Sequence, residues 1–418
     1  MKFYIQTLGC KVNQCESEKL IYELEQKGNV LVDSIDDSDI FIINTCTVTH
    51  IAAKKSRQMI RKSKRKNNFI KIVAMGCFVE NLDDELKDEL SIDLCVHNNE
   101  KENAAQIIEN YFNLKTNSDL ISHHKESHTR AYLKIQDGCN QFCSYCIIPY
   151  VRGRSYSIPL DKIIDQAISL SKRHSEIILT GIHMSSYGRD LKENITLEDV
   201  LDKLLSNNNI SRIRLGSLEP RIITDSFMKI LKKSNSFCPH FHLSLQSGSN
   251  EILSKMNRHY TAELFYEKVN LIRKYFINAA ITTDIIIGFP GETDELFNET
   301  VNFVKKISFA DVHLFPYSIR KGTKAAEFDK QIPGNIKTER INKLTPYVIE
   351  SKLKFLEKFI GVEEEAIFEK EVILDNQSYY EGHGKYYQTI RTPKVNNITL
   401  NKRHKVFLKS LKGDILYT

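Results

Sequence analysis

Short apolar runs and longer stretches of helical periodicity alternate along residues 1–115. The apolar runs predict buried parallel strands at Phe3–Thr7, Ile40–Asn44 and Ile70–Met75. The amphipathic stretches predict helices at Glu16–Lys27, Ile51–Lys66 and Lys101–Phe112. This alternation is typical of a small, doubly wound α/β domain. The polar residues 116–128, which include two adjacent histidines, predict a linker.

From residue 129 to 345 the strand–helix pattern repeats six times. The predicted strands are Ala131–Gln136, Ile177–Thr180, Arg212–Gly216, His240–Leu245, Ala280–Gly288 and Asp311–Phe315. The predicted helices are Leu160–Lys172, Leu197–Leu205, Thr224–Lys232, Ala262–Tyr275 and Asp294–Lys306. Six such units predict an open (βα)6 partial barrel, about three quarters of the eight-unit form.

Residues 346–418 change pattern again. A helix at Ile341–Ile360 leads into short β-like runs at Glu365–Glu371, Tyr379–Gly382, Gln388–Thr392 and Val406–Lys409. Short strands separated by Gly and Asn turns predict a small antiparallel β-barrel. Small barrels rich in Lys, Tyr and Phe often bind nucleic acid.

The 418-residue chain contains no apolar run long enough to span a membrane, and its first residues read as a strand rather than a signal peptide. We therefore expect a cytoplasmic protein without a membrane partner. In that compartment, nine cysteines indicate metal ligands or free thiols rather than disulfides.

The net charge of +6 is unevenly distributed. Residues 391–418 contain seven Lys or Arg against one acid, and residues 47–71 contain nine Lys or Arg and no acid. Each segment is either a solvated basic face or a contact with a phosphate backbone, and the composition leaves both interpretations open.

Cys139, Cys143 and Cys146 follow the first predicted barrel strand, spaced by three residues and then by two. Most [4Fe–4S] clusters are held by four cysteines, so three thiolates leave one iron open to a reactive ligand. An open iron at the mouth of a barrel can chelate S-adenosylmethionine, and its reductive cleavage yields a 5′-deoxyadenosyl radical that abstracts an unactivated hydrogen.

A second set of cysteines follows the three strands of the first domain. Cys10, Cys46 and Cys77 each come directly after one of these strands. Because neighbouring parallel strands bring their carboxyl ends together, the three thiolates could hold a second cluster. The alternative is that they are ordinary buried cysteines. Cys15, Cys95 and Cys238 have no comparable placement.

Polar or glycine-containing clusters also end the later barrel strands. They include Thr180 and Gly181 after the second strand, Ser217 and Glu219 after the third, and Gln246 after the fourth. Parallel strand ends share one face of a barrel, where such folds build their sites. For any single cluster, an ordinary turn explains the residues equally well.

These motifs together resemble the radical S-adenosylmethionine (radical SAM) methylthiotransferase family. In the predicted barrel, the resemblance rests on Cys-Asn-Gln-Phe-Cys-Ser-Tyr-Cys with Val151-Arg152-Gly153-Arg154 after it, on His242–Ser249, and on Gly288-Phe289-Pro290-Gly291-Glu292-Thr293. In the first domain, it rests on Thr7-Leu8-Gly9-Cys10-Lys11-Val12-Asn13-Gln14, Asn44-Thr45-Cys46 and Gly76-Cys77. It covers nearly the whole chain and is most similar to the subgroup that modifies N6-threonylcarbamoyladenosine beside the tRNA anticodon.

The resemblance implies three domains: an N-terminal methylthiotransferase domain, a radical SAM barrel and a C-terminal TRAM-like RNA-binding domain. It implies two [4Fe–4S] clusters, one on Cys139, Cys143 and Cys146 that cleaves S-adenosylmethionine, and an auxiliary one on Cys10, Cys46 and Cys77 that carries the sulfur. Thr180, Gly181, Ser217, Glu219 and Gln246 are the candidate cofactor contacts. The implied partners are a tRNA anticodon stem-loop, an electron donor such as flavodoxin or ferredoxin, and a sulfur source.

Three alternatives remain open at this point. The same chemistry could act on isopentenyladenosine in tRNA or on a ribosomal protein. The chain could also be a non-catalytic RNA-binding protein with structural clusters.

Overall fold

The computed structural model describes residues 1–114, 129–394 and 397–418, so the predicted linker at 116–128 lies outside the described residues. The chain divides into two compact units. Unit 1 consists of Met1–Ser127, Asp137–Ser155 and Ser318–Ala326. Unit 2 consists of His128–Gln136, Tyr156–Tyr317 and Glu327–Thr418.

Unit 1 contains a five-stranded parallel sheet in the order β2-β1-β3-β4-β5. The strands are β1 Lys2–Thr7, β2 Val30–Leu31, β3 Ile40–Thr45, β4 Lys71–Gly76 and β5 Leu94–Val96. The helices are α1 Lys11–Gln26, α2 His50–Lys66, α3 Asp84–Glu89, α4 Ala104–Phe112 and the single-turn α5 Ile148–Val151.

Both faces of this sheet are covered by helices. On one face Leu20 and Leu24 of α1 and Ile108 of α4 pack against the strands. On the other face Ala53 and Ile60 of α2 pack against the alternate strand residues. The predicted doubly wound domain is therefore confirmed, and the strand order places its topological switch point between β1 and β3.

Unit 2 contains the predicted partial barrel, whose main strands pair in parallel, while the two-residue strand Tyr156–Ser157 lies at the outer edge beside the first one. The strands are β6 Ala131–Asp137, β7 Tyr156–Ser157, β8 Ile177–Gly181, β9 Ile213–Leu215, β10 Ser217–Leu218, β11 His240–Leu243, β12 Ala280–Ile287 and β13 Asp311–Pro316. The helices are α6 Leu160–Ser171, α7 Leu197–Leu205, α8 Asp225–Lys232, α9 Asn250–Lys255, α10 Ala262–Tyr275 and α11 Asp294–Ile307. The third predicted strand, Arg212–Gly216, contains β9, and the short β10 follows it after Gly216. The two strands pair with different neighbours.

The two faces of each barrel strand have different surroundings. In β12, Ile281, Ile285 and Ile287 belong to the core between strands and helices. The alternate residues Thr282 and Asp284 are only partly buried and face the barrel interior. The barrel interior is therefore lined by polar side chains along this strand.

The C-terminal part of unit 2 consists of one long helix and a six-stranded sheet. These elements are α12 Gly334–Glu357, β14 Glu363–Leu374, β15 Gln377–His383, β16 Thr389–Pro393, β17 Arg403–Phe407, β18 Ser410–Lys412 and β19 Ile415–Tyr417. The strand order is β17-β14-β15-β16-β19-β18, antiparallel except for the pairing of β16 with β19. The predicted antiparallel domain is confirmed, whereas its closure into a barrel remains a prediction.

A buried ionic cluster joins this sheet to the amino ends of the barrel strands. The carboxylate of Glu176 lies 2.7 Å from Arg214 Nε, 3.2 Å from Arg130 Nε and 3.3 Å from Arg212 Nε. Arg214 also donates to the Lys385 carbonyl oxygen at 3.0 Å. The three guanidinium groups hold the pKa of Glu176 far below its usual range, despite complete burial.

Two smaller observations complete the fold. Cys238 is buried beside this cluster and Cys95 lies half-buried on β5, in keeping with incidental thiols. Across the three described ranges, no helix has the length and apolar character needed to cross a membrane.

Candidate functional site

The first cysteine set lies at the carboxyl edge of the unit 1 sheet. Cys10 directly precedes α1, Cys46 directly follows β3, and Cys77 directly follows β4. Cys10 is exposed, whereas Cys46 and Cys77 are buried. Because β1 and β3 flank the switch point of the sheet, these loops diverge there and leave the cleft in which such folds bind ligands.

Asn13 links the chain segments that carry these cysteines. Its amide Nδ2 donates to the Leu8 carbonyl oxygen at 2.8 Å and to the Thr45 carbonyl oxygen at 2.9 Å. The Thr45 carbonyl oxygen also accepts a hydrogen bond from the Cys77 backbone N–H, and Cys10 Sγ donates to Asn13 Oδ1 at 3.6 Å. The three cysteines are thus brought together by one short network of hydrogen bonds.

Gly9 is required beside this cysteine set for two reasons. Its φ of +100° belongs to the region that favours glycine. A Cβ atom at this position would lie 2.8 Å from Cys46 Cβ and 3.1 Å from Cys46 Sγ. Any larger residue would therefore displace the Cys46 side chain.

Arg152 provides a buried positive charge next to Cys77. Its Nε donates to Cys77 Sγ at 3.3 Å, and its NH1 lies 3.0 Å from Glu16 Oε1 and 2.9 Å from Asp137 Oδ1. The Arg152 side chain is only 1% exposed. Lys101 pairs with the second oxygen of Glu16 at 2.5 Å, so two cations balance two carboxylates. The sequence alone assigns no role to Arg152, although the residue belongs to the motif Val151-Arg152-Gly153-Arg154.

Burial changes the ionisation of these thiols. It raises the pKa of Cys46 to about 11 and raises the pKa of Cys77 as well, while the neighbouring Arg152 favours the Cys77 thiolate. Metal ligation requires the thiolate, so iron must displace the proton from each of these sulfurs.

The second cysteine set occupies the loop after β6, which also belongs to unit 1. The Cys139 N–H donates to the Gly153 carbonyl oxygen at 3.1 Å, and the Cys146 N–H donates to the Cys143 carbonyl oxygen at 3.0 Å. A Cβ atom on Gly138 would lie 2.0 Å from the Arg154 carbonyl oxygen. The loop therefore closes tightly on residues 153–154 and presents its three cysteines from one short segment.

Both cysteine sets fit [4Fe–4S] clusters by the chemistry of their donors. Within the described parts of the chain, no three His, Cys, Asp or Glu residues converge on a point where they could hold one metal ion. A cluster takes each thiolate on a different iron, so its ligands need not converge on one point. A [4Fe–4S] cluster on either set of three thiols would have one iron without a protein sulfur.

The five candidate cofactor contacts lie at or beyond the carboxyl ends of neighbouring barrel strands in unit 2. Thr180 and Gly181 end β8, Ser217 starts β10, Glu219 follows it, and Gln246 follows β11. The three strands concerned are β8, β10 and β11: β8 pairs in parallel with β9, which β10 follows after Gly216, and β10 pairs in parallel with β11. These residues therefore share one end of the barrel. Ser217 is exposed, whereas Thr180, Glu219 and Gln246 are buried. Their contact with S-adenosylmethionine remains a prediction.

Glu219 is the most constrained of these residues. It lies 3.1 Å from His183 Nε2 and also pairs with Arg221. Hydrogen bonds from His183 and Arg221 outweigh burial and lower the pKa of Glu219 to about 2. The backbone N–H of His183 in turn donates a hydrogen bond to Gln136 Oε1 at 2.7 Å. The sequence analysis missed His183 and Gln136, because neither belongs to a recognisable spacing.

Acidic residues neutralise part of both basic segments. On α2, Arg61 pairs with Glu89, Lys64 with Asp93 and Lys66 with Asp36. In the C-terminal sheet four of the seven basic residues are paired: Arg391 with Glu381, Lys394 with Glu371, Arg403 with Glu365 and Lys405 with Glu363. The basic surfaces available to a nucleic acid are therefore smaller than the sequence indicates.

Comparisons with known proteins agree with this arrangement. Residues 133–304 match the model of the radical SAM superfamily, and residues 2–97 match that of the uncharacterized protein family UPF0004. The threonylcarbamoyladenosine tRNA methylthiotransferase MtaB of Bacillus subtilis is 38% identical over 353 residues, which are 81% of this chain and 78% of the relative. The tRNA-2-methylthio-N(6)-dimethylallyladenosine synthase of Clostridium botulinum (strain Loch Maree) is 35% identical over 88% of this chain and 86% of the relative.

Among solved structures, the radical S-adenosylmethionine methyltransferase TsrM from Kitasatospora setae has a TM-score of 0.59. The match covers 78% of this chain and 77% of that one at 14% identity, so it supports the fold alone. Together with the sequence relatives, which match over most of their own length, these findings confirm the resemblance: the chain belongs to the radical SAM methylthiotransferase family.

Proposed function

We propose that this protein transfers a methylthio group to carbon 2 of N6-threonylcarbamoyladenosine beside the tRNA anticodon. The observation that carries this proposal is the placement of two separate cysteine triplets, together with near full-length similarity to relatives named for this reaction. The proposed setting is the cytoplasm, where tRNA is modified. An electron donor of the flavodoxin or ferredoxin class and a sulfur source complete the reaction.

In this proposal each cysteine triplet has its own task. Cys139, Cys143 and Cys146 hold the cluster that, with S-adenosylmethionine bound, supplies a 5′-deoxyadenosyl radical for removal of the carbon-2 hydrogen. Cys10, Cys46 and Cys77 hold the auxiliary cluster at the cleft between β1 and β3. Cys10 is the exposed member of this triplet, so solvent reaches the site at Cys10.

The protein's other residues position these groups. Arg152 orients Cys77 and neutralises Glu16 and Asp137, which would otherwise repel thiolates in the same buried region. Glu219, fixed by His183 and Arg221, offers an ionised carboxylate at the barrel mouth. A carboxylate there suits the hydroxyl or ammonium groups of S-adenosylmethionine, which are hydrogen-bond donors.

Exposed lysines supply the proposed contact with tRNA. Lys54, Lys55 and Lys62 lie on the exposed face of α2 and have no acidic partner within the described residues. In the C-terminal sheet, three of the seven basic residues remain after the paired ones are set aside: Lys402, Lys409 and Lys412. We propose that the sheet is a TRAM-like RNA-binding domain and that α2 adds phosphate contacts.

The relatives named for dimethylallyladenosine favour a second candidate substrate, since they are nearly as similar as those named for threonylcarbamoyladenosine. Mass spectrometry of tRNA nucleosides from cells lacking the gene tests the choice. Loss of 2-methylthio-N6-threonylcarbamoyladenosine supports the proposal, whereas loss of the isopentenyl nucleoside supports the second candidate. Unchanged levels of both nucleosides would favour a ribosomal protein as the substrate.

A separate assay tests whether the protein is an enzyme at all. Purified, reduced protein with reconstituted clusters should release 5′-deoxyadenosine from S-adenosylmethionine. A protein that contains both clusters yet releases none would be a non-catalytic iron–sulfur protein.

A further inference from the structure

Two histidines flank one aspartate on the inner face of the barrel. Asp284 of β12 lies 3.3 Å from His242 Nε2 on β11 through one carboxylate oxygen. Through the other oxygen it lies 3.2 Å from His313 Nδ1 on β13. The three residues stand on adjacent parallel strands, and Asp284 and His313 are directly paired in the register. No residue of this cluster belongs to either cysteine set or to the candidate cofactor contacts.

Further hydrogen bonds fix the cluster from the side of β11. The hydroxyl oxygen of Thr282 lies 3.0 Å from His242 Nδ1 and 3.1 Å from His240 Nε2. A continuous hydrogen-bonded row therefore crosses three strands and ends at His313. The rings of His242 and His313 are 6.0 Å apart, so both histidines face the same space.

Exposure increases along this row toward His313. The His242 side chain is 14% exposed, that of Asp284 is 32% exposed, and that of His313 is 56% exposed. Within the described ranges, Nε2 of His313 bonds to no protein group. The row thus presents one imidazole nitrogen to the open interior of the barrel.

The charges around His313 favour its protonated form. The hydrogen bond to Asp284 raises the pKa of His313, with a smaller contribution from Asp311 on the same strand, while burial and Lys352 of α12 oppose the shift. Asp284 itself stays ionised, because both histidines hold its pKa well below the usual range. A protonated His313 donates from Nδ1 to Asp284 and still has an N–H at Nε2 for a ligand.

We propose that His313, oriented by Asp284, binds the carboxylate of the N6-threonylcarbamoyl group inside the barrel. This inference rests on the proposed function and names the residue that selects its substrate. The threonyl moiety carries a carboxylate, whereas an isopentenyl group is an apolar hydrocarbon. A charge-assisted hydrogen bond from the imidazolium recognises the carboxylate and has no counterpart in the isopentenyl group.

Discrimination follows from a hydrogen bond that only one of the two nucleosides can form. The isopentenyl group has no acceptor for the imidazolium, so its nucleoside lacks the charge-assisted contact that the threonyl carboxylate gains. Loss of one hydrogen bond to a charged group weakens binding roughly 10- to 100-fold. The structure thereby offers a physical basis for choosing between the two nucleosides named by the relatives.

The test uses full-length protein with reconstituted clusters and three anticodon stem-loops. One contains N6-threonylcarbamoyladenosine, the second its threonyl carboxamide, and the third N6-isopentenyladenosine. Dissociation constants are measured without S-adenosylmethionine, and methylthio products are measured with it. The variants are His313→Gln, which removes the cation, and His97→Gln as a matched control. His97 also pairs through Nδ1 with a carboxylate, that of Glu80 at 3.4 Å, but it lies in unit 1.

We expect the wild type and His97→Gln to bind the carboxylate stem-loop roughly 10- to 100-fold more tightly than the carboxamide. In His313→Gln this ratio should fall to within a few-fold of one. The iron content of His313→Gln should match that of the wild type, which verifies folding and cluster loading. A His313→Gln protein that keeps the full preference for the carboxylate would overturn the inference but leave the proposed function intact. A wild type that modifies only the isopentenyl stem-loop would overturn the proposed function, and the inference with it.

Discussion

Arg152 donates a hydrogen bond from Nε to the Sγ of Cys77 across 3.3 Å, deep within unit 1. The same guanidinium binds Asp137, which stands two residues before Cys139 in the chain. One side chain therefore contacts a member of the first cysteine set and fixes the start of the loop that carries the second. The guanidinium of Arg152 is thus a single buried cation that links the two cysteine sets.

Replacing Arg152 by Met should destabilise the protein strongly. Glu16 and Asp137 would lose their shared partner in a buried region, and breaking such a pair costs about 3–5 kcal/mol. The free energy of unfolding in urea measures this loss. Arg65→Met, an exposed arginine at the end of α2, is the control and should change stability by less than about 1 kcal/mol. Equal stabilities of the two variants would show that the Arg152 network is energetically unimportant.

The two cysteine sets should be separable by mutation. Cys139→Ala should abolish 5′-deoxyadenosine formation, because it removes a ligand of the cluster that cleaves S-adenosylmethionine. Cys46→Ala should still cleave the cofactor but form no methylthio nucleoside. Iron analysis should show about half of the wild-type iron in each variant, as expected for the loss of one of two equal clusters. Full methylthiolation by Cys46→Ala would refute the assignment of the auxiliary cluster.

Strand periodicity predicted the architecture well, because most strands carry an apolar face that packs on the core. The elements it missed are short and include β2 with two residues, β5 with three and α9 with six. Such elements carry too few residues to show a period and are formed by tertiary contacts. The helix α12 begins at Gly334, seven residues before the predicted start at Ile341, since its first turns are polar and follow Pro333.

The cysteine ligands remain a prediction from the sequence, whereas the residues packed around them could not be predicted from it. Cys10, Cys46 and Cys77 follow strands in a way that sequence alone reveals. In contrast, Glu16, Lys101 and Arg152 come from distant segments and meet only in the folded chain. The charge composition predicted a larger basic surface on α2 than the structure has, because the acids that neutralise this helix come from other segments of unit 1.

Glu176 should be critical for the junction between the barrel and the C-terminal sheet. In Glu176→Gln, the guanidinium groups of Arg130, Arg212 and Arg214 would remain buried without their common carboxylate. We expect a loss of about 3–5 kcal/mol in the free energy of unfolding of unit 2. Asp202→Asn removes an exposed pair with Lys233 and should cost less than about 1 kcal/mol. A Glu176→Gln protein as stable as this control would show that the cluster does not hold the junction.

The unpaired lysines of α2 should determine the salt dependence of tRNA binding. Replacing Lys54, Lys55 and Lys62 together by Gln should reduce the slope of log K against log salt by up to about 3, one for each phosphate that is no longer neutralised. The matched control replaces Arg61, Lys64 and Lys66, which pair with acids in the structure, and should change the slope less. Equal slopes for the wild type and both triple variants would support a merely solvated basic face.

Glu219 should make stability depend on pH in acid. Its pKa is lowered to about 2 in the folded protein from an ordinary value of 4.5, so its ionised form stabilises the fold above pH 4.5. That stability is lost as pH falls toward 2, and between pH 6 and 3.5 the loss is about 1.4 kcal/mol. The free-energy advantage of the wild type over Glu219→Gln should shrink by this amount over the same range. Glu193→Gln, at an exposed position, should keep a constant difference from the wild type. An advantage over Glu219→Gln that does not change with pH would mean that Glu219 is not ionised through its contacts with His183 and Arg221.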